Sequence, residues 1–145
     1  MFLSQNCKPK TYGERPTTRR IPAPGRNLES KPFWDAAQEG RFLIKRCNAC
    51  GEPHWYPRTI CPFCHSSDTS WQESKGEGQI YTFSVMRRNT PVPYAIGYVT
   101  LDEGVSLLTN FIDCDFDALK IGQRVKIKWS GTGEGNPPVF TFTTA

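Results

Sequence analysis

The stretch Cys47–Cys64, CNACGEPHWYPRTICPFC, contains two CxxC pairs with ten residues between Cys50 and Cys61. Two residues between paired cysteines let a tight turn aim both sulfurs at one tetrahedral ion, and Gly51 supplies backbone freedom after the second ligand. The spacing therefore predicts a Cys₄ zinc site formed by Cys47, Cys50, Cys61 and Cys64. A closed shell of four thiolates leaves no position for water, so this zinc is expected to be structural.

Other uses of these cysteines stay open at this point. Iron in a rubredoxin-like site has the same ligands and geometry, and four reduced cysteines without metal are a further alternative. Disulfides would fit a secreted chain, but paired CxxC motifs in a reducing compartment favour metal. Cys7 and Cys114 lie outside the motif, and neither is expected to act as a nucleophile, since Asp113 and Asp115 should disfavour a Cys114 thiolate.

Three segments of different composition precede the motif on its N-terminal side. Residues 1–30 are rich in Pro, Gly, Lys and Arg and too poor in apolar residues to form a core, so an extended or disordered arm is predicted. Ser30 is the expected N-cap of a short helix that Gly40 ends. Residues 41–46 then form a strand that runs into Cys47.

On the C-terminal side five β runs follow, separated by turn residues. They cover residues 79–87, 94–101, 105–112, 124–129 and 139–143, and the turn Asp102-Glu-Gly104 joins the second and third into a hairpin. In the first run, Tyr81, Phe83 and Val85 are expected to share one face. We predict a mainly β protein with an N-terminal short helix, a rubredoxin-like zinc ribbon and a C-terminal five-stranded OB-fold barrel, divided into residues 1–30, 31–75 and 76–145.

Charge and hydropathy exclude several classes of function. The net charge of +4 comes from residues 1–46, which hold ten basic and four acidic side chains, whereas residues 76–145 hold six basic and seven acidic ones. A barrel that follows nucleic-acid phosphates should be basic, so nucleic-acid binding is not expected of it. No apolar run approaches the roughly 18 residues of a membrane span, and the N-terminus lacks the apolar stretch of a secretory signal. A cytoplasmic protein is therefore expected.

Catalytic candidates are few. His54 and His65 both lie beside the cysteine pairs, where a structural or surface role is the expected one. The chain has no Ser/His/Asp constellation, no phosphate-binding loop and no dinucleotide glycine motif, and the glycines of Gly131–Gly135 are not followed by a Lys-Ser/Thr pair. No catalytic residue is predicted.

The order of the motifs resembles one known family, the zinc-ribbon/OB-fold proteins of domain of unknown function thirty-five, often described as acyl-CoA-associated. The resemblance covers about residues 31–143. It rests on an ensemble of short segments: Pro32-Phe33-Trp34, Gly40–Leu43, the four cysteines, Tyr56-Pro57-Arg58, Trp71, Gly76–Phe83, Leu101–Gly104 and Ile121–Val125. The resemblance does not explain the basic arm, residues 1–30, which we also call the basic leader.

The resemblance implies a small partner protein and not an enzyme. Members like these accompany thiolase-like enzymes, hydroxymethylglutaryl-CoA synthases or acyl-CoA hydratases, and they help to bind acyl-CoA while the catalytic groups belong to the large enzyme. Coenzyme A offers phosphates to cations and an adenine face to aromatic rings. Accordingly, Tyr56, Arg58, Arg87 and Arg88 are the candidate CoA-binding residues.

Two other functions stay open. The first is a single-stranded nucleic-acid-binding OB module that uses the basic leader, and the second is a stand-alone acyl-CoA enzyme. Exposed aromatic residues on the barrel strands would favour the first alternative, because bases stack on aromatic rings. A nucleophile paired with a base would favour the second.

Overall fold

The computed structural model describes residues 19–133 and 135–145, which form one helix, a three-stranded sheet and a five-stranded barrel. Most of the predicted arm, as well as Cys7, lies outside these residues. The described part of the arm, residues 19–27, has neither helix nor strand. These residues contain no helix with the length and apolarity that a membrane crossing requires.

The helix α1, Lys31–Gln38, begins at the predicted N-cap but is not capped as expected. Pro32 has no N–H to donate, and the Ser30 hydroxyl instead bonds to the backbone of Asn27, whose side chain accepts the Ser30 N–H at 2.8 Å. At the other end, Gly40 ends the helix as predicted, with a φ of 76° that suits glycine.

The three-stranded sheet has the order β2-β1-β3, with β1 at Phe42–Cys47, β2 at Pro53–His54 and β3 at Thr69–Ser74. The strand β1 matches the predicted run into the first cysteine pair. In contrast, β3 was not expected from the sequence, because its residues do not alternate between apolar and polar. Side-chain contacts across the two strands connect β3 to β1. The Lys45 ammonium lies over the Trp71 ring in a cation–π contact, and Arg46 Nε donates a hydrogen bond to Gln72 Oε1 at 2.6 Å.

The barrel contains the five predicted strands, with bounds that differ from the predicted ones by at most two residues. They are β4 at Glu77–Met86, β5 at Tyr94–Leu101, β6 at Ser106–Phe111, β7 at Arg124–Ser130 and β8 at Val139–Thr144. The order β4-β5-β6-β8-β7 closes through β4 and β7, and β6 pairs with β8 in parallel. The prediction of a mainly β protein with a closed five-stranded barrel is confirmed.

A β-bulge in β4 overturns one detail of the predicted pattern. The register with β5 shifts between Ile80 and Thr82, so Ile80 faces the core while Tyr81 is exposed. The expectation that Tyr81 shares a face with Phe83 and Val85 is therefore wrong. Strict alternation holds only for an unbroken ladder, and the extra residue of the bulge breaks it.

One aromatic cluster joins the helix, the small sheet and the barrel. The ring of Phe33, which is fully buried, contacts the rings of Trp34, Phe42, Trp55 and Phe140 with centroids 4.7 to 6.1 Å apart. Aromatic pairs at such distances stabilise beyond the area they bury. Because β8 carries Phe140, the core of the barrel continues into the helix and the small sheet. The division at residues 75 and 76 stays a prediction.

Candidate functional site

Two similar backbone turns hold the four cysteines. In the first, the Gly51 N–H donates to the Cys47 carbonyl at 2.9 Å, and in the second the His65 N–H donates to the Cys61 carbonyl at 3.0 Å. Gly51 has a φ of 79°, as expected of a residue that needs a left-handed conformation. His65 takes the corresponding position with a φ of 61°, which the sequence did not indicate because the residue is not glycine.

The four thiols meet at one point. Their Sγ atoms all lie within 4.8 Å of one another, with Cys47 and Cys64 3.5 Å apart and Cys50 and Cys61 3.7 Å apart. A tetrahedral zinc with Zn–S bonds of about 2.3 Å places its sulfurs about 3.8 Å apart, which fits this cluster. Hydrogen bonds, first of all from the backbone N–H of Cys50, lower the pKa of Cys47 to about 7, whereas burial and the neighbouring thiols raise the pKa of Cys50 and of Cys64.

The two histidines of the ribbon lie in different surroundings. His54 is buried, and its two ring nitrogens make no hydrogen bond within 3.5 Å among residues 19–133 and 135–145. Burial lowers its pKa, although the nearby backbone of Arg58 and Glu52 offsets part of this effect. A neutral ring in a packed position suits the structural role that was predicted. His65 is exposed at the ribbon surface.

Cys114 is not an activated thiol. Burial raises its pKa first of all, and the carboxylates of Asp113 and Asp115 raise it further. The predicted effect of the two carboxylates is therefore present, although desolvation, which the sequence did not reveal, is the larger cause.

The structure places the predicted CoA-binding residues in two separate groups. Arg58 lies at a ribbon cavity of about 460 Å³ beside Glu29, whose carboxylate accepts the Thr59 N–H at 3.0 Å and the Thr59 hydroxyl at 2.6 Å. Arg87 forms an exposed ion pair with Asp117 in the link between β6 and β7.

Tyr56 and Arg88 complete the predicted set. The Tyr56 ring packs against Trp55 with centroids 5.3 Å apart, and Arg88 is exposed just after β4. The structure thus separates the ribbon group from the arginines after β4 into different loops. Their role in binding CoA stays a prediction.

An apolar surface on the barrel was not predicted as a site. Tyr98 and Leu108 are opposite each other on β5 and β6, and both point outward, as do Ile96 and Met86 on β5 and β4. Leu108 is 53% exposed. We call this surface, Met86, Ile96, Tyr98 and Leu108, the barrel face. The signal that could have found it is the apolar character of both alternating faces of β5, which is unusual for a strand with one face in solvent.

Comparisons with known proteins match consecutive parts of the chain to two domain families. Residues 34–70 match the rubredoxin-like zinc ribbon domain of ChsH2, and residues 71–130 match the C-terminal OB-fold domain of ChsH2. A DUF35 domain-containing scaffold protein of Methanocaldococcus jannaschii is 31% identical over 118 residues, which cover 75% of this chain and 83% of that protein. The chain belongs to the DUF35 family. The resemblance drawn from the sequence motifs is thereby confirmed.

Solved structures of DUF35 proteins have the same fold. The matching chain of the structure titled Ltp2-ChsH2(DUF35) aldolase is 30% identical to this DUF35 chain, with a TM-score of 0.72 over 83% of this chain and 98% of that one. A DUF35 protein of unknown function from Sulfolobus solfataricus gives a TM-score of 0.59 over 82% of this chain at 14% identity. The second likeness supports the fold alone.

A longer relative carries an enzyme name. The probable enoyl-CoA hydratase alpha subunit of Thermomonospora curvata is 34% identical over 140 residues, which cover 92% of this DUF35 chain but only 41% of that subunit. This chain therefore spans less than half the length of that relative.

Proposed function

We propose that this DUF35 chain is a non-catalytic accessory subunit that binds acyl-CoA jointly with a partner enzyme of the thiolase superfamily or an acyl-CoA hydratase. The observation that carries the proposal is the likeness to the chain of the Ltp2-ChsH2(DUF35) aldolase structure, which this chain matches over 98% of its length. That title names a DUF35 protein together with an aldolase, and the hydratase name of the longer relative points to acyl-CoA chemistry.

The surface of the barrel supports a partner role. Solvent-exposed apolar side chains on neighbouring strands typically mark a surface that contacts another protein. Ile96 and Tyr98 on β5 and Leu108 on β6 form such a group. Tyrosine and methionine, which are enriched in protein interfaces, are both present on the barrel face. The partner we propose is a larger enzyme with an apolar surface beside its CoA tunnel.

A structural zinc is part of the same proposal. Cys47, Cys50, Cys61 and Cys64 would be its ligands, because their sulfurs have the spacing of a tetrahedral thiolate site. The zinc would hold the two turns of the ribbon together, and the four thiolates would exclude water and substrate from the ion. We accordingly propose no reaction at the metal.

The candidate CoA contacts remain Tyr56, Arg58, Arg87 and Arg88. Arg58 and Arg88 are exposed, and the ion pair of Arg87 with Asp117 lies in solvent, where such pairs contribute little and exchange readily. All three guanidinium groups are thus accessible to a phosphate. The cytoplasmic location is also kept as a proposal, and the described cysteines, all free, suit a reducing compartment.

One observation favours the nucleic-acid alternative. Tyr81 and Tyr98 are exposed on β4 and β5, where a base could stack on them. The balance of charge is against it, since six basic and seven acidic side chains in residues 76–145 provide no basic track for phosphates.

The decisive experiment uses the chain together with the acyl-CoA enzyme encoded beside it. We expect the isolated chain to turn over no acyl-CoA, and the mixture to form a stable complex that binds acyl-CoA more tightly than either protein alone. Calorimetric titration of the complex and of each component measures this. Absence of a complex would overturn the accessory role, and turnover by the isolated chain would favour the stand-alone enzyme.

A further inference from the structure

The four cysteines of the ribbon differ in their access to solvent. Cys50 and Cys64, the second cysteine of each pair, are exposed, whereas Cys47 and Cys61 are fully buried. A cysteine reacts as its thiolate, and binding to a metal keeps a cysteine in that form. A small oxidant can therefore reach the sulfurs of Cys50 and Cys64 from solvent, while the fold shields the other two sulfurs.

Each exposed sulfur lies beside a buried sulfur of the other turn. The Sγ atoms of Cys64 and Cys47 are 3.5 Å apart, and those of Cys50 and Cys61 are 3.7 Å apart. Because an S–S bond is about 2.05 Å long, a movement of less than about 2 Å would bring each pair to bonding distance. Both contacts connect the first turn of the ribbon to the second.

A hydroperoxide can join such a pair in two steps. The Cys64 thiolate attacks the peroxide, whose O–O bond breaks, and the products are a sulfenic acid and hydroxide. The Cys47 thiolate then attacks the sulfenic sulfur, so that the S–S bond forms, the S–O bond breaks and a second hydroxide leaves. The same steps join Cys50 to Cys61. In sum, four thiolates, two molecules of hydrogen peroxide and four protons give two disulfides and four molecules of water.

Pairing across the turns would keep the ribbon closed after the metal leaves. Zinc needs thiolate ligands, so the formation of both disulfides releases it. The bonds Cys47–Cys64 and Cys50–Cys61 then hold the two turns together in place of the ion, and they restrict the unfolded chain as well. Disulfides within each CxxC pair would instead leave the two turns unconnected.

We propose that the cysteine cluster is a peroxide-sensitive switch that exchanges zinc for the disulfides Cys47–Cys64 and Cys50–Cys61 while the ribbon stays folded. A thiol reductant and zinc reverse the exchange, because a disulfide is a reversible stage of cysteine oxidation. The switch would preserve the ribbon during oxidative stress and restore the metal site afterwards. This inference rests on the zinc site of the proposed function and does not depend on the partner enzyme.

The test treats the full-length, zinc-loaded Cys7→Ser protein with hydrogen peroxide. A chromogenic zinc chelator measures the released metal, and free thiols are then alkylated before digestion with trypsin and mass spectrometry. Trypsin cuts after Arg46 and Arg58, so the two CxxC pairs fall on different peptides. We expect one zinc ion released per chain and the two peptides joined by two disulfides. Fragmentation of the joined peptides between the cysteines of each pair identifies Cys47–Cys64 and Cys50–Cys61.

Two controls belong to the same experiment. Cys114 is half-buried between Asp113 and Asp115, and it should still be a free thiol when zinc release is complete. The ring of Trp55, which lies between the two pairs, packs against Phe33 and Phe140, so near-ultraviolet circular dichroism reports whether the ribbon stays in place. The oxidised protein should keep this signal, whereas protein stripped of zinc by a chelator under reducing conditions should lose it.

Four results would overturn the proposal. They are separate tryptic peptides with internal disulfides, sulfinic or sulfonic acids in place of disulfides, loss of the near-ultraviolet signal on oxidation, and oxidation of Cys114 before the cluster. Elemental analysis before the peroxide treatment shows whether the zinc site itself has failed, which would remove the switch as well. Since every measurement uses the isolated chain, a failed switch leaves the accessory role standing, and a missing complex leaves the switch standing.

Discussion

The indole Nε1 of Trp129 donates a hydrogen bond to the backbone carbonyl of Gly40 at a distance of 3.2 Å. Trp129 belongs to β7 of the barrel, and Gly40 lies in the turn that leads from α1 into the ribbon. The bond lies next to the contact between the rings of Phe42 and Trp129, whose centroids are 6.1 Å apart. Ribbon and barrel are thus joined by polar and by aromatic contacts, and they are expected to unfold together.

Replacing Phe33 should test this joint unfolding. Phe33→Ala removes a fully buried ring from the centre of the aromatic cluster, which should lower the free energy of unfolding by about 3–5 kcal/mol. Urea denaturation followed by near-ultraviolet circular dichroism measures it. Leu28→Ala is the control, since Leu28 is 91% exposed. Two separate transitions in the wild-type protein would contradict the shared core.

The metal prediction is one zinc ion per chain, measured by elemental analysis of protein purified without added metal. Cys47→Ser should lose the zinc and destabilise the ribbon severely, because metal binding and folding are coupled in such modules. Cys114→Ser is the matched control, as Cys114 lies outside the cluster, and it should retain the metal. A finding of no metal, or of one iron per chain, would show the prediction to be wrong.

If the barrel face contacts the partner enzyme, a charge placed on it should disrupt the complex of the two proteins. Leu108→Glu places a carboxylate on the β6 side of the apolar surface, opposite Tyr98, and burying it against a partner should weaken the complex at least tenfold. Ile121→Glu makes the same chemical change in the link between β6 and β7, where Ile121 is 71% exposed, and should have little effect. Binding is measured by surface plasmon resonance with the partner enzyme immobilised. The reverse result would place the contact at that link.

Close packing at Gly97 gives a prediction about the barrel itself. A Cβ atom at this position would come within 2.0 Å of the Thr82 carbonyl oxygen and 2.7 Å of the Phe83 Cα, both in the backbone of β4 beside the bulge. Gly97→Ala should therefore cost about 1–3 kcal/mol of stability or more. Gly25→Ala meets no atom within 4 Å and should melt like the wild type. Thermal denaturation compares them.

Any binding to single-stranded DNA or RNA should come from the basic leader. Fluorescence anisotropy at several salt concentrations should show an affinity that falls steeply with salt, as phosphate contacts do. Deleting residues 1–26 should abolish the binding while preserving the turn in which Asn27 bonds to Ser30. Salt-resistant binding by the shortened chain would favour the nucleic-acid alternative.

The sequence predicts those parts of the fold in which local chemistry and tertiary structure agree. The paired cysteines, the stop at Gly40 and the alternating strands of the barrel are of this kind. It fails for β3, whose pairing with β1 depends on cross-strand contacts such as Lys45 with Trp71, and for Tyr81, because a bulge leaves no mark in the residues that flank it.

The candidate site is less predictable than the fold. Four cysteines at fixed spacing identify a metal site by themselves, but a surface depends on which strands become neighbours. Tyr98 and Leu108 are ten residues apart in the chain and opposite each other only after the hairpin forms. The contact of Arg19 with Tyr94 depends on the path of the arm, and the Pro-rich composition of the arm does not determine that path.

The contact between Phe33 and Phe140 has a consequence for the order of events during synthesis. The two rings lie 6.1 Å apart, although 107 positions separate them along the chain, and contacts of such long range form late. The helix and both cysteine pairs emerge from the ribosome well before β8. During that interval the ribbon cannot yet pack against the barrel. We therefore expect that early zinc binding protects the ribbon from misfolding. We expect zinc-starved cells to yield aggregated nascent chains more readily than they yield folded metal-free protein.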